Sequence, residues 1–208
     1  MKEKKIIAVT GKQGSGKSSF CNALAKELNA NVFNLDIYSH KTLLNSEVKK
    51  ILLNKFGTSI FENGVVNRKK LGEIVFADKK LLNFLNALTY KYMVVEIDKD
   101  IKESKKDIIL DYALLPLTKY FELASYKICI HSSLNTRMER LKIRDKIDME
   151  YLDKRESSCI DYNTYEFDII LNNKSNSKID SLVKTALNKI KADAKLAKTH
   201  SFITAKIQ

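Results

Sequence analysis

One short segment near the start of the sequence combines residues that suit phosphate binding. It consists of Gly11, Lys12, Gln13, Gly14, Ser15, Gly16, Lys17 and Ser18, with Ser19 directly after it. The order fits the pattern G-x-x-x-x-G-K-[ST], in which glycines let backbone N–H groups surround an anion. An apolar strand pattern precedes the segment and a helical pattern follows it, which argues against a glycine-rich turn with a coincidental Lys-Ser pair. We therefore expect a nucleoside triphosphate site, with Lys17 on the β- and γ-phosphates and Ser18 coordinating Mg²⁺.

Two carboxylates stand at the ends of apolar runs that are typical of buried strands. Asp36 follows the run at 31–35, and Asp111 ends the run at 107–111. Because the carboxyl ends of parallel strands meet at one edge of a sheet, both are expected beside the phosphate-binding segment. Asp36 is then suited to accept the proton of an attacking hydroxyl, and Asp111 to act on Mg²⁺ through water. The alternative for each is an ordinary loop or helix-capping carboxylate.

Four of the five arginines lie between positions 137 and 155. Arg137, Arg140 and Arg144 are three and four residues apart, a spacing that puts them on one helix face. Arg155 lies on the next predicted helix. Guanidinium groups on such a helical pair can close over phosphates and neutralise transition-state charge. The alternative is a solvated face whose arginines pair with neighbouring acidic residues, Glu139 and Asp145.

Alternating strand and helix patterns predict how these residues are positioned. Strands are predicted at 5–9, 31–35, 107–111, 126–131 and 168–171, and helices over 17–28, 42–56, 81–104, 136–146, 149–159 and 179–197. Short apolar strands separated by helices favour an α/β fold with a parallel five-stranded sheet flanked by helices. We expect a nucleotide-binding core at 1–40, 105–138 and 165–208, an all-helical insertion over 41–104 with a turn at Asn63-Gly64, and a helical lid over 139–164.

The formal charge of +12 does not by itself indicate a nucleic-acid partner. Only five of the 37 basic residues are Arg, and residues 174–208 carry half of the excess on a Lys-rich surface of a kind that is usually solvated. No apolar run is long enough to cross a membrane, and three scattered cysteines indicate neither a disulfide framework nor a zinc site. We expect a cytoplasmic protein, monomeric or a weak homo-oligomer, with no nucleic-acid or membrane partner.

In the order and spacing of its motifs, the sequence resembles the dephospho-coenzyme A kinase family across nearly its full length. The family has D-A-D, D-R-x-x-L, (I/V)-F-A, D-x-P-L-L, R-x-x-x-R-D, a later lid Arg and D-x-x-I-x-N. The similar segments here are Asn34-Leu35-Asp36, Asn67 to Leu71, Val75-Phe76-Ala77, Asp111 to Leu115, Arg140 to Asp145, Arg155 and Asp168 to Asn173.

The resemblance implies a P-loop kinase fold with a substrate-binding insertion and a lid. It also implies transfer of phosphate from ATP, with Mg²⁺, to the ribose 3′-hydroxyl of dephospho-CoA in the last step of coenzyme A synthesis. On this basis Asp36 is the catalytic base, while Lys17, Arg140 and Arg144 stabilise the transferring group. ATP is expected on residues 11–19 and Arg140. The expected acceptor contacts are Asp36, Arg68, Tyr90 and Leu114.

The departures from the family pattern lie mainly around the acceptor. They are Asn34, Tyr90, Lys91, Ala113, Leu117 and Cys159. They leave open a P-loop kinase that acts on a nucleoside or another small alcohol. A basic, non-catalytic module that binds nucleoside triphosphates is the third hypothesis.

Overall fold

A parallel sheet of five strands forms the centre of the protein. The structure is a computed structural model that describes residues 4–145, 156 and 159–204. Its strands are β1 (Ile6–Thr10), β2 (Asn31–Asn34), β3 (Phe61–Glu62), β4 (Val65–Val66), β5 (Ile108–Asp111), β6 (Tyr126–His131) and β7 (Ile169–Asn172). The central sheet has the order β2-β5-β1-β6-β7 with every neighbouring pair parallel, while β3 and β4 pair with each other. The predicted five-stranded parallel sheet is therefore confirmed.

Helices cover both faces of this sheet. They are α1 (Lys17–Leu28), α2 (Leu35–Thr42), α3 (Ser46–Phe56), α4 (Arg68–Val75), α5 (Lys79–Glu103), α6 (Lys119–Glu122), α7 (Leu134–Asp145) and α8 (Ile179–Thr204). Ile7 and Val9 of β1 belong to the apolar cluster that α1 and α8 complete. Ala8 belongs to a second cluster with α5 and α6. Since successive side chains of a strand point to opposite faces, the two clusters are the two faces of the sheet.

Residues 41–104 differ from the all-helical insertion that the sequence predicts. The strands β3 and β4 form a hairpin there, whose turn has positive φ angles at Asn63 (48°) and Gly64 (74°). Such angles suit an Asn-Gly turn, so the turn was visible in the sequence. The strands of the hairpin could not be predicted from the sequence, because strands of two residues are too short to display an alternating pattern.

Several predicted helix boundaries also change. The helix predicted over 42–56 begins four residues later, at Ser46, where the side chain of Asn45 caps it by accepting from Glu47 N and Val48 N, and α2, which ends at Thr42, was not predicted. The last helix continues to Thr204, past its predicted end at Ala197. Most of the helix predicted over 149–159 lies outside the described residues. Within the described residues, no helix has the length and apolar composition needed to cross a bilayer.

Candidate active site

The glycine-rich segment forms a tight loop between β1 and α1. Gly11, Gly14 and Gly16 have φ angles of 141°, 78° and 91°, a region that side-chain-bearing residues rarely adopt. A Cβ atom on Gly11 would lie 2.3 Å from the Ile130 carbonyl oxygen, and one on Gly14 would lie 2.8 Å from the Arg137 carbonyl oxygen. The neighbouring chain therefore approaches the loop so closely that the glycines are required sterically as well as conformationally.

The loop leads directly into the N-terminus of α1. Gly16 precedes the helix without a side-chain cap, and the first turn contains no acidic residue. Unpaired N–H groups at a helix start, together with the helix dipole, attract anions. Lys17 is 8% exposed, and its Nζ atom lies 3.5 Å from the Lys12 carbonyl oxygen, against the loop. The local charge and the available donors suit the phosphates of a nucleotide.

A buried carboxylate faces the start of α1. Asp111, at the end of β5, is 1% exposed, and its Oδ2 atom accepts hydrogen bonds from Ser18 Oγ (2.5 Å) and Asn34 Nδ2 (3.3 Å). Its Oδ1 atom is buried with no hydrogen-bond partner among the described residues. Burial raises the pKa of this carboxyl, while Lys17 and the Ser18 hydrogen bond oppose the rise.

The chemistry of this pair of side chains fits a divalent cation. Mg²⁺ prefers hard oxygen ligands and keeps several of its waters. A serine hydroxyl and a buried carboxylate with one oxygen unused supply such ligands next to the phosphate-binding loop. Ser18 and Asp111 are therefore the residues that could hold Mg²⁺, directly or through water.

Asp36 lies at the same edge of the sheet. The strand β2 ends at Asn34, one residue earlier than predicted, because the Asn34 side chain accepts from Asp36 N (3.0 Å) and starts α2 there. Asn34 is paired in register with Asp111 on β5, and Asp111 with Val9 on β1. Asp36 is exposed, in the first turn of α2, and its charge contributes to the raised pKa of Asp111. It is thus a solvent-accessible carboxylate beside the loop.

The arginines of α7 divide into different environments. Arg140 donates to the carbonyl oxygens of Gly14 (3.3 Å) and Lys174 (3.0 Å) and so lies over the loop. Arg137 is 4% exposed, with Nη1 3.4 Å from the Gln13 carbonyl oxygen. Arg144 is exposed, and Arg155 lies outside the described residues.

Glu156 is a residue near the loop that sequence reasoning missed. Its carboxylate accepts from Lys12 Nζ (2.5 Å) and forms a bidentate pair with Arg137 at 2.8 and 2.9 Å. Burial raises the pKa of Glu156, but the hydrogen bonds and charges of Arg137 and Lys12 outweigh it, so the pKa is lowered. Arg137 therefore pairs with Glu156, which is neither of the two acidic neighbours, Glu139 and Asp145, that the alternative interpretation named for the arginine face. No local pattern distinguishes Glu156 from other surface glutamates.

Asn173 is a second residue that was not among the expected site residues. It follows β7, is 3% exposed, and its Nδ2 atom donates to the Ser15 carbonyl oxygen at 2.8 Å. Its Oδ1 atom accepts from Arg140 Nη2 at 3.4 Å. The available signal was its place at the end of the segment Asp168 to Asn173, which carries part of the family resemblance.

An open cavity lies next to Asp36, between α2 and the hairpin with α4. Its volume is about 600 Å³. The wall includes apolar Ile37, Leu44 and Val65, and basic Lys41 and Arg68. Apolar walls with a few charged groups are typical of small-molecule sites.

The expected acceptor residues do not all reach this cavity. Arg68 lines it and has Nη1 2.8 Å from His40 Nδ1. Tyr90 and Leu114 instead pack against the apolar cluster under α5, where the Tyr90 hydroxyl accepts from Lys119 N at 3.1 Å. The structure thus places Arg68 in the wall of this cavity, whereas Tyr90 and Leu114 are not among the residues that line it.

Known proteins are similar to this chain over most of its length. Residues 5–178 match the family model described as dephospho-CoA kinase. The dephospho-CoA kinase of Fusobacterium nucleatum is 33% identical over 181 residues, which are 82% of this chain and 90% of that protein. The structure of a Thermus thermophilus protein has a TM-score of 0.75 at 22% identity and covers 92% of this chain and 98% of its own. The dephospho-CoA kinase from Campylobacter jejuni has a TM-score of 0.57 at 24% identity, covering 90% and 98%. The two structures are similar in fold.

Proposed function

The chain belongs to the dephospho-CoA kinase family, and from that premise we propose that it transfers the γ-phosphoryl group of ATP to the ribose 3′-hydroxyl of dephospho-CoA, giving coenzyme A. The observation that carries the proposal is the meeting of three chemically distinct groups at one sheet edge. They are the cationic loop with Lys17, the Ser18–Asp111 pair and the exposed carboxylate of Asp36. Such an enzyme requires a phosphate cradle, a metal site and a base, and these groups match the three requirements.

The glycine-rich loop at 11–18, called the P-loop from here on, and α7 are suited to the donor nucleotide. Backbone N–H groups of residues 11–19 and the α1 N-terminus bind the phosphates, and Lys17 neutralises their charge. Ser18 and Asp111 would hold Mg²⁺, which when bound neutralises charge on the phosphate oxygens. Arg140, already against the loop at Gly14, stabilises the transferring group, and Arg144 on the same helix supports it.

Asp36 acts as the general base in this proposal. Its exposed carboxylate can accept the proton of the acceptor hydroxyl as that oxygen attacks the γ-phosphorus. Its place in the first turn of α2, fixed by the Asn34 cap, keeps it at the sheet edge where the loop lies. The acceptor then occupies the adjacent cavity, where Arg68 and Lys41 face its pyrophosphate and the apolar wall faces its uncharged arm. Direct acceptor contacts from Tyr90 and Leu114, and a cytoplasmic location, stay predictions.

The test replaces Asp36 by Asn and measures two properties. The rate of phosphoryl transfer is measured by a coupled assay of ADP release. We expect this rate to fall by at least about 100-fold, because general base catalysis typically contributes 10²–10⁴-fold. ATP binding, measured by calorimetry, should be unchanged. The matched control is Asp180→Asn, since Asp180 is also an exposed acidic residue in the first turn of a helix. Full activity of Asp36→Asn would remove the assigned role.

The acceptor is tested separately with the unmodified protein. Dephospho-CoA, a nucleoside and a panel of small alcohols are offered in turn with ATP and Mg²⁺, and ADP release is compared. We expect turnover with dephospho-CoA. Turnover with a nucleoside and none with dephospho-CoA would overturn the proposed acceptor and leave the kinase chemistry in place.

A further inference from the structure

We infer that Asn173 is a positioning residue for phosphoryl transfer: its amide orients the peptide between Ser15 and Gly16 in the P-loop and holds Arg140 above it. The inference rests on the proposed function, in that the P-loop is taken to bind ATP. Asn173 directly follows β7, the last strand of the sheet in chain order.

The main chain of Asn173 is held in place from the neighbouring strand. Its N–H donates to the His131 carbonyl oxygen at 2.7 Å, which continues the β6–β7 pairing by one residue. Its carbonyl oxygen accepts from Ser132 Oγ at 2.8 Å. With both backbone groups bonded and the residue 3% exposed, the side chain can leave the strand in only a narrow range of directions.

The side-chain amide uses both of its ends. Nδ2 donates to the buried Ser15 carbonyl oxygen at 2.8 Å, and Oδ1 accepts from Arg140 Nη2 at 3.4 Å. No other side chain of this length offers a donor and an acceptor on one planar group, since aspartate lacks the donor and leucine lacks both. The residue type is therefore matched to the two groups that it joins.

Orienting the Ser15 carbonyl also orients a donor in the P-loop. The peptide group is planar and trans, so the Ser15 carbonyl and the Gly16 N–H lie in one plane and point in opposite directions. When Asn173 holds the carbonyl toward β7, the Gly16 N–H must point away from β7. That N–H is one of the loop groups that precede α1, where phosphates are expected to bind.

The absence of a side chain at Gly16 lets Asn173 approach this peptide. A Cβ atom on Gly16 would lie 2.3 Å from Asn173 Nδ2, closer than any real contact, and the φ angle of Gly16 is 91°. The contact therefore requires both residues, because only a glycine at position 16 leaves room for the Asn173 amide. Without the amide, the buried Ser15 carbonyl would lose its 2.8 Å partner and keep the longer 3.5 Å bond from Arg140 Nη1, and the peptide would have room to rotate.

Substitutions at Asn173 should therefore affect ATP more than the acceptor. Asn173→Asp keeps an acceptor for Arg140 and removes the donor to Ser15, whereas Asn173→Ser removes the amide without adding charge. We expect each variant to bind ATP about 10- to 100-fold more weakly, the size expected when a buried polar group loses its partner. The KM for ATP should rise in parallel, while the KM for dephospho-CoA should change by less than about twofold.

The neighbouring residue provides the control. Asn172 is exposed on the edge strand β7, so Asn172→Asp makes the same chemical change one residue away and should leave ATP affinity unchanged. ATP binding is measured by calorimetry on protein whose fold has been checked by circular dichroism.

Each outcome of this experiment decides the inference. Wild-type ATP affinity in either Asn173 variant would overturn it, as would a rise confined to the KM for dephospho-CoA. Loss of the fold in both variants would also overturn it, in favour of a structural role. If the unmodified protein prefers a different alcohol, the proposed function fails, but the difference in ATP binding between the Asn173 and Asn172 variants still tests the positioning role.

Discussion

Asp111 is a single residue whose proposed role in a metal site conflicts with stability, because burial disfavours its charged form. Among the described residues, its buried carboxylate accepts from the neutral groups of Ser18 and Asn34, and its second oxygen has no hydrogen-bond partner. An aspartate in place of Asn34 could not make this donation while ionised. The departure from the family pattern at Asn34 thus places a neutral donor, rather than a second negative charge, beside Asp111.

The raised pKa of Asp111 leads to a prediction about stability. Burial favours the protonated form, so the ionised carboxylate destabilises the fold as the pH rises from about 3.9 to the higher pKa of the folded protein. We expect Asp111→Asn to remove this pH-dependent loss of stability, because the amide does not ionise. Urea unfolding between pH 4 and pH 7 should show the variant gaining stability relative to wild type as the pH rises, although its Mg²⁺-dependent activity is lost. A constant difference across this range would contradict the prediction.

The pKa of Glu156 is shifted in the opposite direction. It is lowered, so ionised Glu156 stabilises the fold above about pH 4.3, and this stabilisation is lost as the pH falls through the lowered pKa. We expect Glu156→Gln to reduce the free energy of unfolding at pH 7 by about 1–3 kcal/mol, because Arg137 is left buried without its partner. The difference from wild type should narrow below about pH 4.

Glu139→Gln is the matched control for Glu156→Gln. Glu139 is exposed and lies on the same helix as Arg137, and it is one of the two acidic neighbours that the alternative interpretation named for the arginine face. Urea unfolding of this variant should give the wild-type free energy of unfolding both at pH 7 and below about pH 4. An equal loss in both variants would show that Glu156 has no special role.

The residues that the sequence could identify share a local signature. The loop at 11–19 is a contiguous pattern, and Asp36 and Asp111 follow apolar runs at positions that the topology of a parallel sheet makes significant. Glu156 and Asn173 act across 144 and 158 residues, on Lys12 and Ser15. No periodicity in one sequence encodes such distances, so these two contacts required the folded chain.

At the scale of single elements, helix caps determine where the side chains near the cavity leave the backbone. The side chain of Asn67 accepts from Lys69 N and Lys70 N and starts α4, whose first residue is Arg68. The cap thus determines where Arg68 leaves the backbone beside the cavity. Asn45 caps α3 in the same way, but no residue of α3 is among those that line the cavity.

The two caps allow stability and acceptor binding to be separated. Each of Asn67→Ala and Asn45→Ala should reduce the free energy of unfolding by about 1 kcal/mol. Only Asn67→Ala is expected to raise the KM for dephospho-CoA, by about 3- to 10-fold, with the KM for ATP unchanged. Steady-state kinetics and urea unfolding of both variants provide the comparison. A rise in the acceptor KM in both would indicate general loosening of the insertion.

Elements were predicted well where they have a continuous apolar run or a long helical spacing, and poorly where they have neither. The five parallel strands have such runs, α5 has such spacing, and all six were recovered within a few residues. The start of α3 at Ser46, four residues later than predicted, coincides with the side-chain cap of Asn45. Tertiary packing and capping decided that boundary, and hydrophobic periodicity does not report either of them.

The charge of the whole molecule is compatible with a small polyanionic substrate. The formal charge is +12, and α8 contributes exposed lysines to it. Long-range attraction of this kind accelerates encounter with anions and weakens with salt. Membership of a kinase family argues for the enzymatic hypothesis over the non-catalytic one.

Two lysines of α8 provide a test at this scale. Lys184 and Lys191 are exposed, and replacing both by Glu lowers the formal charge of +12 by four units, two for each substitution. We expect kcat and the KM for ATP at 150 mM salt to change by less than about twofold, while retention on heparin decreases. A large loss of turnover would assign α8 a direct role in the reaction.

The strand order also has a consequence for synthesis of the protein on the ribosome. The central strand β1 is made first, but its two neighbours β5 and β6 begin about 100 and 120 residues later. A growing chain therefore carries its glycine-rich loop for most of translation without the strands that flank it, and contacts between such distant residues form slowly. Asn173 leaves the ribosome later still. The nascent chain can therefore form the contact between Asn173 and the glycine-rich loop only after the last strand, β7, has been synthesised.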